Sequence, residues 1–354
     1  MIGQYLRRLA GKQLVIQTRQ DGAMEHYAER LAQERERFDA EINVHDLPDI
    51  FHYWSNKYLR PLLNSFGYDN IEDFFACELA SLAADGRALA IASVGSGDCA
   101  TEVEVARRLR EKGVVEFQFT CMDISGEALR RGQEIAAAAG MAGHFRFLPH
   151  DFNTGIQGEG WDAVMANQSL HHVLQLETLF DSIRDRLADH GCLLTSDMIG
   201  RNGHQRWPEA RALVDEVWPW LPPAYRFNRQ LDRREDEFLD WDCAQEGFEG
   251  VRAQDILPLL LERFAPAVFL AWGNIIDVFI DRGFGHGFHR KTEWDLHFID
   301  RTHALDDAAI MAGHIKPTHV LARFQKAPVV RCVHRQGLSP ADCVRVATAE
   351  VAVA

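Results

Sequence analysis

The sequence predicts an α/β fold built on a mostly parallel sheet. Three observations predict it. Short apolar runs of strand length recur through the middle of the chain, polar residues follow each run, and segments of helical pattern fill the gaps. The first run, 89–94 (LAIASV), ends in Gly95-Ser96-Gly97, and a helical pattern starts near Thr101. Strand, glycine turn and helix together suit a nucleotide. Glycine lets the backbone turn tightly and approach a ligand, and the new helix presents unpaired N–H groups. Asp98 complements the positive end of that helix. Gly95-x-Gly97-x-x-Ala100 also fits the Gly/Ala form of the dinucleotide fingerprint.

The later runs keep βα spacing. The second, 115–122 (VEFQFTCM), ends at Asp123, whose carboxylate can accept both hydroxyls of a ribose. The third, 144–148, is followed by Asp151 and Phe152, and the fourth, 161–166, by Asn167-Gln168-Ser169-Leu170-His171-His172. The fifth is 192–198. Helices are expected over 101–111, 126–139 and 176–187, and again over 254–264 despite Pro258. A sixth strand with its exit lies in 267–280 and a seventh in 318–324. Beyond it, 329–333 is a candidate extra strand, and 340–351 a candidate helix, used in a homodimer contact or left loose.

The domain organisation follows. Residues 1–88 form a helical cap, 89–326 the sheet domain, and 327–354 a C-terminal extension. Within the cap, 21–42 is rich in helix formers, and Asp46-Leu47-Pro48 turns the chain into a helix carrying Tyr53, Trp54, Lys57 and Tyr58. That helix either packs on the sheet edge or lids a ligand. Two insertions interrupt the sheet domain, at about 200–250 and 284–316. The first begins as a glycine-rich loop, continues in helix-like segments, and holds Trp207, Trp218, Trp220 and Trp241. It is read as a satellite helical core or as an aromatic wall of an acceptor pocket. The second is rich in histidine.

Composition narrows the function. The net charge of −14, with acids and bases mixed along the chain, argues against a phosphate-backbone partner. Seven scattered cysteines without a C-x-x-C pair read as buried free thiols in a reducing compartment. The N-terminus lacks a signal-peptide pattern, and no run approaches the ~20 apolar residues of a membrane span. A cytoplasmic protein is expected.

The motif series resembles the class I S-adenosylmethionine-dependent methyltransferases. VGSGDCATE is similar to their motif I, CMDIS to the acidic motif II, HDFN to the adenine-side loop, and WDAVMANQSLHHV to the motif after strand 4. Two positions depart from the pattern: Cys99 stands for the usual third glycine, and Ser93 for the acid that often precedes the turn. The resemblance implies a Rossmann-like sheet of seven strands, mostly parallel with the last antiparallel. It also implies S-adenosylmethionine as cofactor. Gly95, Ser96, Gly97 and Asp98 would line its methionine end, Asp123 and Ile124 its ribose, and Asp151 and Phe152 its adenine. Asn167 and Gln168 would face the methionine part through backbone carbonyls. The stretches IGRNGHQRWPEA, WDCAQEGFEGVRAQDILPLL and FIDRGFGHGFH resemble a bacterial group from glycan and natural-product pathways, which implies a small-molecule acceptor.

Methyl transfer from a sulfonium is an in-line displacement. It needs an aimed acceptor, a dry site and, for a hydroxyl, a place for the proton. His171 and His172 follow the fourth strand, and imidazole, with an ordinary pKa of about 6.5, accepts a proton at neutral pH. One of them is expected to be the general base. Tyr53, Arg201, Asn202, His204, Trp207, His286 and His289 are the expected acceptor residues. Arg201, Asn202, His204 and Arg206 at the fifth strand's end, or Arg282, His286, His289 and Arg290, would hold an anionic group. The histidines invite a metal reading, as do His204, Glu209 and Asp197. Yet His286-x-x-His289 lies among glycines rather than on a firm helix, so no metal is expected. An NAD(P)-dependent oxidoreductase would use the same glycine turn. Against it, Asp151 has no role in a dinucleotide site, and a second mononucleotide half is not evident. A third reading keeps the cofactor pocket without methyl transfer.

Overall fold

Parallel neighbours require crossovers, and helices supply them here. The computed structural model describes residues 30–32, 35, 36, 39, 47–83, 87–245 and 247–345. The first strand, β1 (Leu89–Val94), lies between β2 (Phe117–Asp123) and β4 (Trp161–Asn167), all parallel. Outside β2 lies β3 (Phe145–Pro149), and outside β4 lies β5 (Leu187–Met198), both also parallel. Helices α4 (Ala100–Glu111), α5 (Gly126–Ala138) and α6 (Leu176–Arg186) join them. With helices on both faces, the central strands β1 and β4 are buried along nearly their whole length. Ile91, Ala92, Val94, Phe119, Val164 and Leu193 are all fully buried.

The chain starts at the middle of the sheet, runs outward to β3, then returns to the other side of β1. That reversal puts a crevice outside the strand ends between β1 and β4, where ligands bind in open α/β sheets. The crevice follows from topology before any side chain is considered.

Past β5 the sheet turns mixed. Strand β9 (His319–Gln325) pairs antiparallel with β5 and with β8 (Ala265–Trp272), as the sequence led us to expect of its seventh strand. The count differs: among the described residues the sheet has eight strands, not seven. The addition is β10 (Val333–His334), parallel to β8 against Val268 and Phe269. A two-residue strand is too short to show alternation in sequence, yet it covers part of β8's open edge.

The first insertion corrects a second expectation. It contains one described α-helix, α7 (Pro208–Val217), followed by 3-10 turns and a hairpin of β6 (Phe227–Asn228) and β7 (Arg233–Arg234). Pro219, Pro222 and Pro223 lack the N–H groups a longer helix would use. Trp218 is buried against Phe238, Phe279 and Phe284, whereas Trp220 is 54% and Trp241 36% exposed. The tryptophans therefore build a satellite core through Trp218 and do not wall one pocket.

In the cap, α1 (Asp49–Trp54) passes through a π-turn (Ser55–Leu59) into α2 (Arg60–Asn64), and α3 (Ile71–Ala80) follows under an Asn70 cap. After β8 come the short α9 (Asp277–Ile280) and the long α10 (Glu293–Met311), while α8 (Ala253–Arg263) precedes it and contains Pro258. Asp300 of α10 gathers Tyr53 (2.9 Å), Lys57 (2.7 Å) and Tyr58 (2.7 Å). The aromatic helix thus packs on another helix. Most of the segment 21–42, and 346–351 of the C-terminal helix candidate, lie outside the described residues; 341–343 form a 3-10 turn. All seven cysteines are free. No described helix is long and apolar enough to cross a membrane.

Phe324 of β9 is fully buried between the parallel half of the sheet and β8. Replacing it with Ala should cost about 3–5 kcal/mol through lost burial and the cavity left behind, read as a lower urea midpoint at unchanged slope.

Candidate cofactor and acceptor site

The first glycine is required by contact as well as by conformation. Gly95 has φ +67°, and a Cβ there would stand 2.4 Å from the Ser169 Cβ. Ser169 itself donates its hydroxyl to the Val94 carbonyl at 2.7 Å, so the turn after β1 and the loop after β4 touch. Gly97, at φ +53°, has open space where a Cβ would be. Its N–H donates to Asp123 at 2.9 Å, and the Ser125 N–H donates to the other Asp123 oxygen at 2.8 Å. Burial raises the Asp123 pKa, and these two N–H groups hold it down in part. Each oxygen keeps acceptor capacity for a ribose hydroxyl. Asp98 accepts from the Ala100 amide at 3.1 Å, and Cys99 takes a left-handed conformation, φ 57°, in place of the third glycine.

Asp151 stands at the neighbouring strand tip, since β3 pairs with β2 through Pro149 and Asp123. Its carboxylate accepts from the backbone and side chain of Asn153, both at 2.9 Å, and Phe152 is buried. The Asn153 side-chain oxygen, Oδ1, in turn accepts from the Leu174 and Gln175 backbone amides at 2.9 Å, which ties the third tip to the fourth. Asn167 ends β4 with its amide 3.5 Å from the Thr101 hydroxyl, and Gln168, φ 52°, donates its N–H to Ser196 at 2.7 Å. From the N-terminal segment, Arg30 donates to Gly247 and lies 4.8 Å above the Phe248 ring. Asp39 accepts from the Ser125 hydroxyl and, through its carbonyl, from Arg131. Cap residues therefore reach both flanks of the crevice.

The acid missing at Ser93 is replaced in space. Glu102, on the first turn of α4, is buried and accepts the Ser93 hydroxyl at 2.6 Å. Its other oxygen is buried without a partner. Burial pushes its pKa up to about 7, against the Ser93 hydrogen bond that lowers it.

Around the two histidines the structure assembles more than a single base. Asp197, wholly buried at the tip of β5, accepts from the Ser169 (2.9 Å), Leu170 (2.7 Å) and Met198 (2.8 Å) amides and from His171 Nδ1 (2.7 Å). His171 Nε2 points at Glu249, 3.4 Å away. His204 Nε2 lies 2.8 Å from the same Glu249 oxygen, and His172 Nε2 lies 3.7 Å from the other. Burial would discharge the His171 ring, but Asp197 and Glu249 lift its pKa to about 10. Burial opposes ionisation of Asp197 and of Glu249, and the facing imidazoles reverse that, so both carboxyls fall below their ordinary range. His204 moves down because burial outweighs its bond to Glu249.

The expected acceptor residues do not converge. His204 joins the cluster. Arg201 instead donates to the Arg206 carbonyl (3.1 Å) and lies over Trp207, and Asn202 pairs with Gln254. Trp207 is also stacked by Arg345. Tyr53 belongs to the Asp300 group. His286 sits in a 3-10 turn whose glycines pack on Pro48 and Tyr225, and the His289 amide is held by Asp295 at 2.6 Å. Glu249 and Glu102 were not anticipated. The glycines around Phe248-Glu249 were the available signal for the former; for the latter, a carboxylate on the buried face of α4 was.

A glycine turn, a carboxylate at the second strand tip and a switch-point crevice belong to a Rossmann-like α/β fold. Residues 93–195 match the family model of the methyltransferase domain. That match spans under a third of the chain and marks a methyltransferase domain there, for which S-adenosylmethionine would be the methyl donor. The cradle fits that group: Gly95 closes on Ser169, Asp123 retains acceptor sites, and Glu102 offers a buried acid beside the turn. Among solved structures, the chain is similar to a geranyl diphosphate methyltransferase complexed with its diphosphate and sinefungin (14% identity, 71% of this chain and 77% of that one, TM-score 0.42). It is also similar to geranyl diphosphate C-methyltransferase from Streptomyces coelicolor A3(2) (13%, 71% and 75%, TM-score 0.41). A third is the StiE O-MT (12%, 81% and 85%, TM-score 0.42). No protein of curated function matches the chain. At this distance the acceptors of those enzymes do not transfer, because one fold hosts many reactions.

Glu102 predicts a pH dependence. Its folded pKa, about 7, exceeds the ordinary 4.5, so between those values the folded chain holds a proton that the unfolded chain releases. The stability it contributes is complete below pH 4.5 and is lost as pH rises through about 7. Glu102→Gln should flatten that part of the stability–pH curve by about 3 kcal/mol, measured by chemical denaturation at stepped pH.

Proposed function

We propose that this protein transfers the methyl of S-adenosylmethionine to an oxygen or nitrogen of a small-molecule acceptor. The observation that carries the reading is the joining of four strand tips, with Asp123 and Asp151 on adjacent strands on one side and the His171 cluster on the other. Bound cofactor supplies an electrophilic methyl on a sulfonium. The chain supplies position. Asp123 takes the ribose and the β3 tip with Asp151 and Phe152 takes the adenine. Gly95, Ser96, Gly97, Asn167 and Gln168 hold the methionine part. Orienting two reactants in this way is worth about 7–11 kcal/mol of barrier.

The acceptor enters beside the loop that carries Glu249. His171 is engaged by Asp197 at one nitrogen and faces Glu249 with the other, which leaves it poorly placed to take a new proton. His172 sits one residue on, half-buried, with Nε2 turned toward the outer Glu249 oxygen. We assign it the acceptor's proton. A dinucleotide reading gains nothing from Asp151, whose Asn153 contacts join the third and fourth tips around one nucleoside.

Calorimetric titration should show S-adenosylhomocysteine binding, with NAD(H) silent. Binding of NAD(H) alone overturns the reading. Asp123→Ala should weaken S-adenosylhomocysteine at least about tenfold, the loss of one or two charge-assisted hydrogen bonds. The acceptor is sought by S-adenosylhomocysteine release with fractionated small-molecule extracts. On the acceptor so found, His172→Ala should lower kcat about 100-fold with cofactor affinity retained; unchanged kcat removes the imidazole base.

A further inference from the structure

The two glycine-bracketed loops of the first insertion do something that the cofactor cradle does not require. Gly203 has φ +65°, and a Cβ on it would fall 1.8 Å from the Asp242 carboxylate. His204 follows in the left-handed region at φ 52°, which costs a non-glycine residue energy and marks a position held for a purpose. The Gly203 N–H donates to the Gly250 carbonyl at 2.9 Å, and the Cys243 thiol donates to the Gly203 carbonyl at 3.1 Å. A Cβ on Gly250 would press the His204 ring at 3.0 Å. The two loops are thus clamped together, and the clamp aims His204 and Glu249 at one point. His171 reaches the same point from the sheet. One ligand atom from each of His171, His204 and Glu249 lies within 4.8 Å of the other two.

We propose that His171 Nε2, His204 Nε2 and a Glu249 oxygen bind a divalent transition-metal ion. Two imidazoles and one carboxylate suit ions of the Mn²⁺ to Zn²⁺ series, whereas Mg²⁺ and Ca²⁺ prefer oxygen throughout. Ligand bonds of about 2.0–2.1 Å at tetrahedral angles put ligand atoms about 3.4 Å apart. The His171–Glu249 separation is already 3.4 Å, and the 2.8 Å His204–Glu249 contact opens by about half an ångström. Asp197 supplies the outer support that metal-bound histidines have. It accepts the hydrogen bond of His171 Nδ1–H, so that Nε2 is the nitrogen that gives up its proton to solvent and turns its lone pair to the ion, and its three backbone N–H partners fix it in place. Three protein ligands leave positions open. Resting on the methyl-transfer reading above, the structure assigns those positions to the acceptor. That makes the acceptor a molecule with an oxygen donor, such as a hydroxyl beside a carboxylate or carbonyl, held and polarised by the ion.

The test reads metal binding without methyl transfer. The full-length protein, stripped with chelator and dialysed, is titrated with Co²⁺ and followed by its visible d–d absorption, then with Zn²⁺ by calorimetry. One tight site per chain is expected. His204→Ala and Glu249→Gln should each weaken it by more than about 100-fold, beyond the 10–100-fold typical of losing an outer-shell partner. His286→Ala with His289→Ala should leave it intact. X-ray absorption at the zinc edge of the parent protein, loaded with one equivalent, should show two imidazoles, which needs no variant to fold. Absence of a stoichiometric site, equal affinity in the variants, or an edge spectrum with fewer than two imidazoles overturns the proposal. S-adenosylhomocysteine binding on the same samples separates that failure from failure of the methyltransferase reading.

Discussion

The site depends on one buried carboxylate. Asp197 sits at the end of β5 with no solvent contact and accepts four N–H groups, three from backbone and one from His171. A charge so buried is tolerable only when paired and fully hydrogen-bonded, and each bond to it is worth more than a neutral one. In return it fixes the loop after β4. Ser169, held by Asp197 through its N–H, closes on Gly95 and bonds Val94, so the cofactor turn takes its shape against a loop that Asp197 positions. His171, held by the same carboxylate, is aimed the other way, at Glu249. The glycine turn and the His171–Glu249 cluster are thereby set by one anchor.

The N-terminal segment and the first insertion approach that anchor from outside. Arg30 reaches Gly247 and Phe248 beside Glu249, and Asp39 reaches Ser125 beside Asp123. Loops carry function when a rigid scaffold positions them, and this arrangement places the N-terminal segment and the first insertion beside the crevice at the strand ends.

Much of the parallel half was legible before any coordinates. The apolar runs of β1 and β4 and the second half of β5 are buried on both faces, so each reads as continuous, and glycine and polar residues mark their ends. The motif positions Gly95, Gly97, Asp123 and Asp151 lie at adjacent tips because βα spacing and right-handed crossovers leave little choice. Less was legible beyond β5. β10 is two residues long, and the insertion folds through prolines and short turns that carry no period. Residue type did not tell which acceptor candidates meet: Tyr53, Asn202 and His286 lie with Asp300, Gln254 and a turn packed on Pro48 and Tyr225, and His204 alone of the group joins His171 and Glu249.

By itself the sequence determined the strand–turn–helix frame and the placing of Gly95, Gly97, Asp123 and Asp151 at its strand tips, since these residues follow one another along successive βα units. Only the tertiary structure decided what faces those tips. Glu102 reaches Ser93 from the next helix, and Glu249 meets His171 and His204 across 78 and 45 positions of chain. Contacts of that range arise from how layers pack, and no local pattern of residues encodes them.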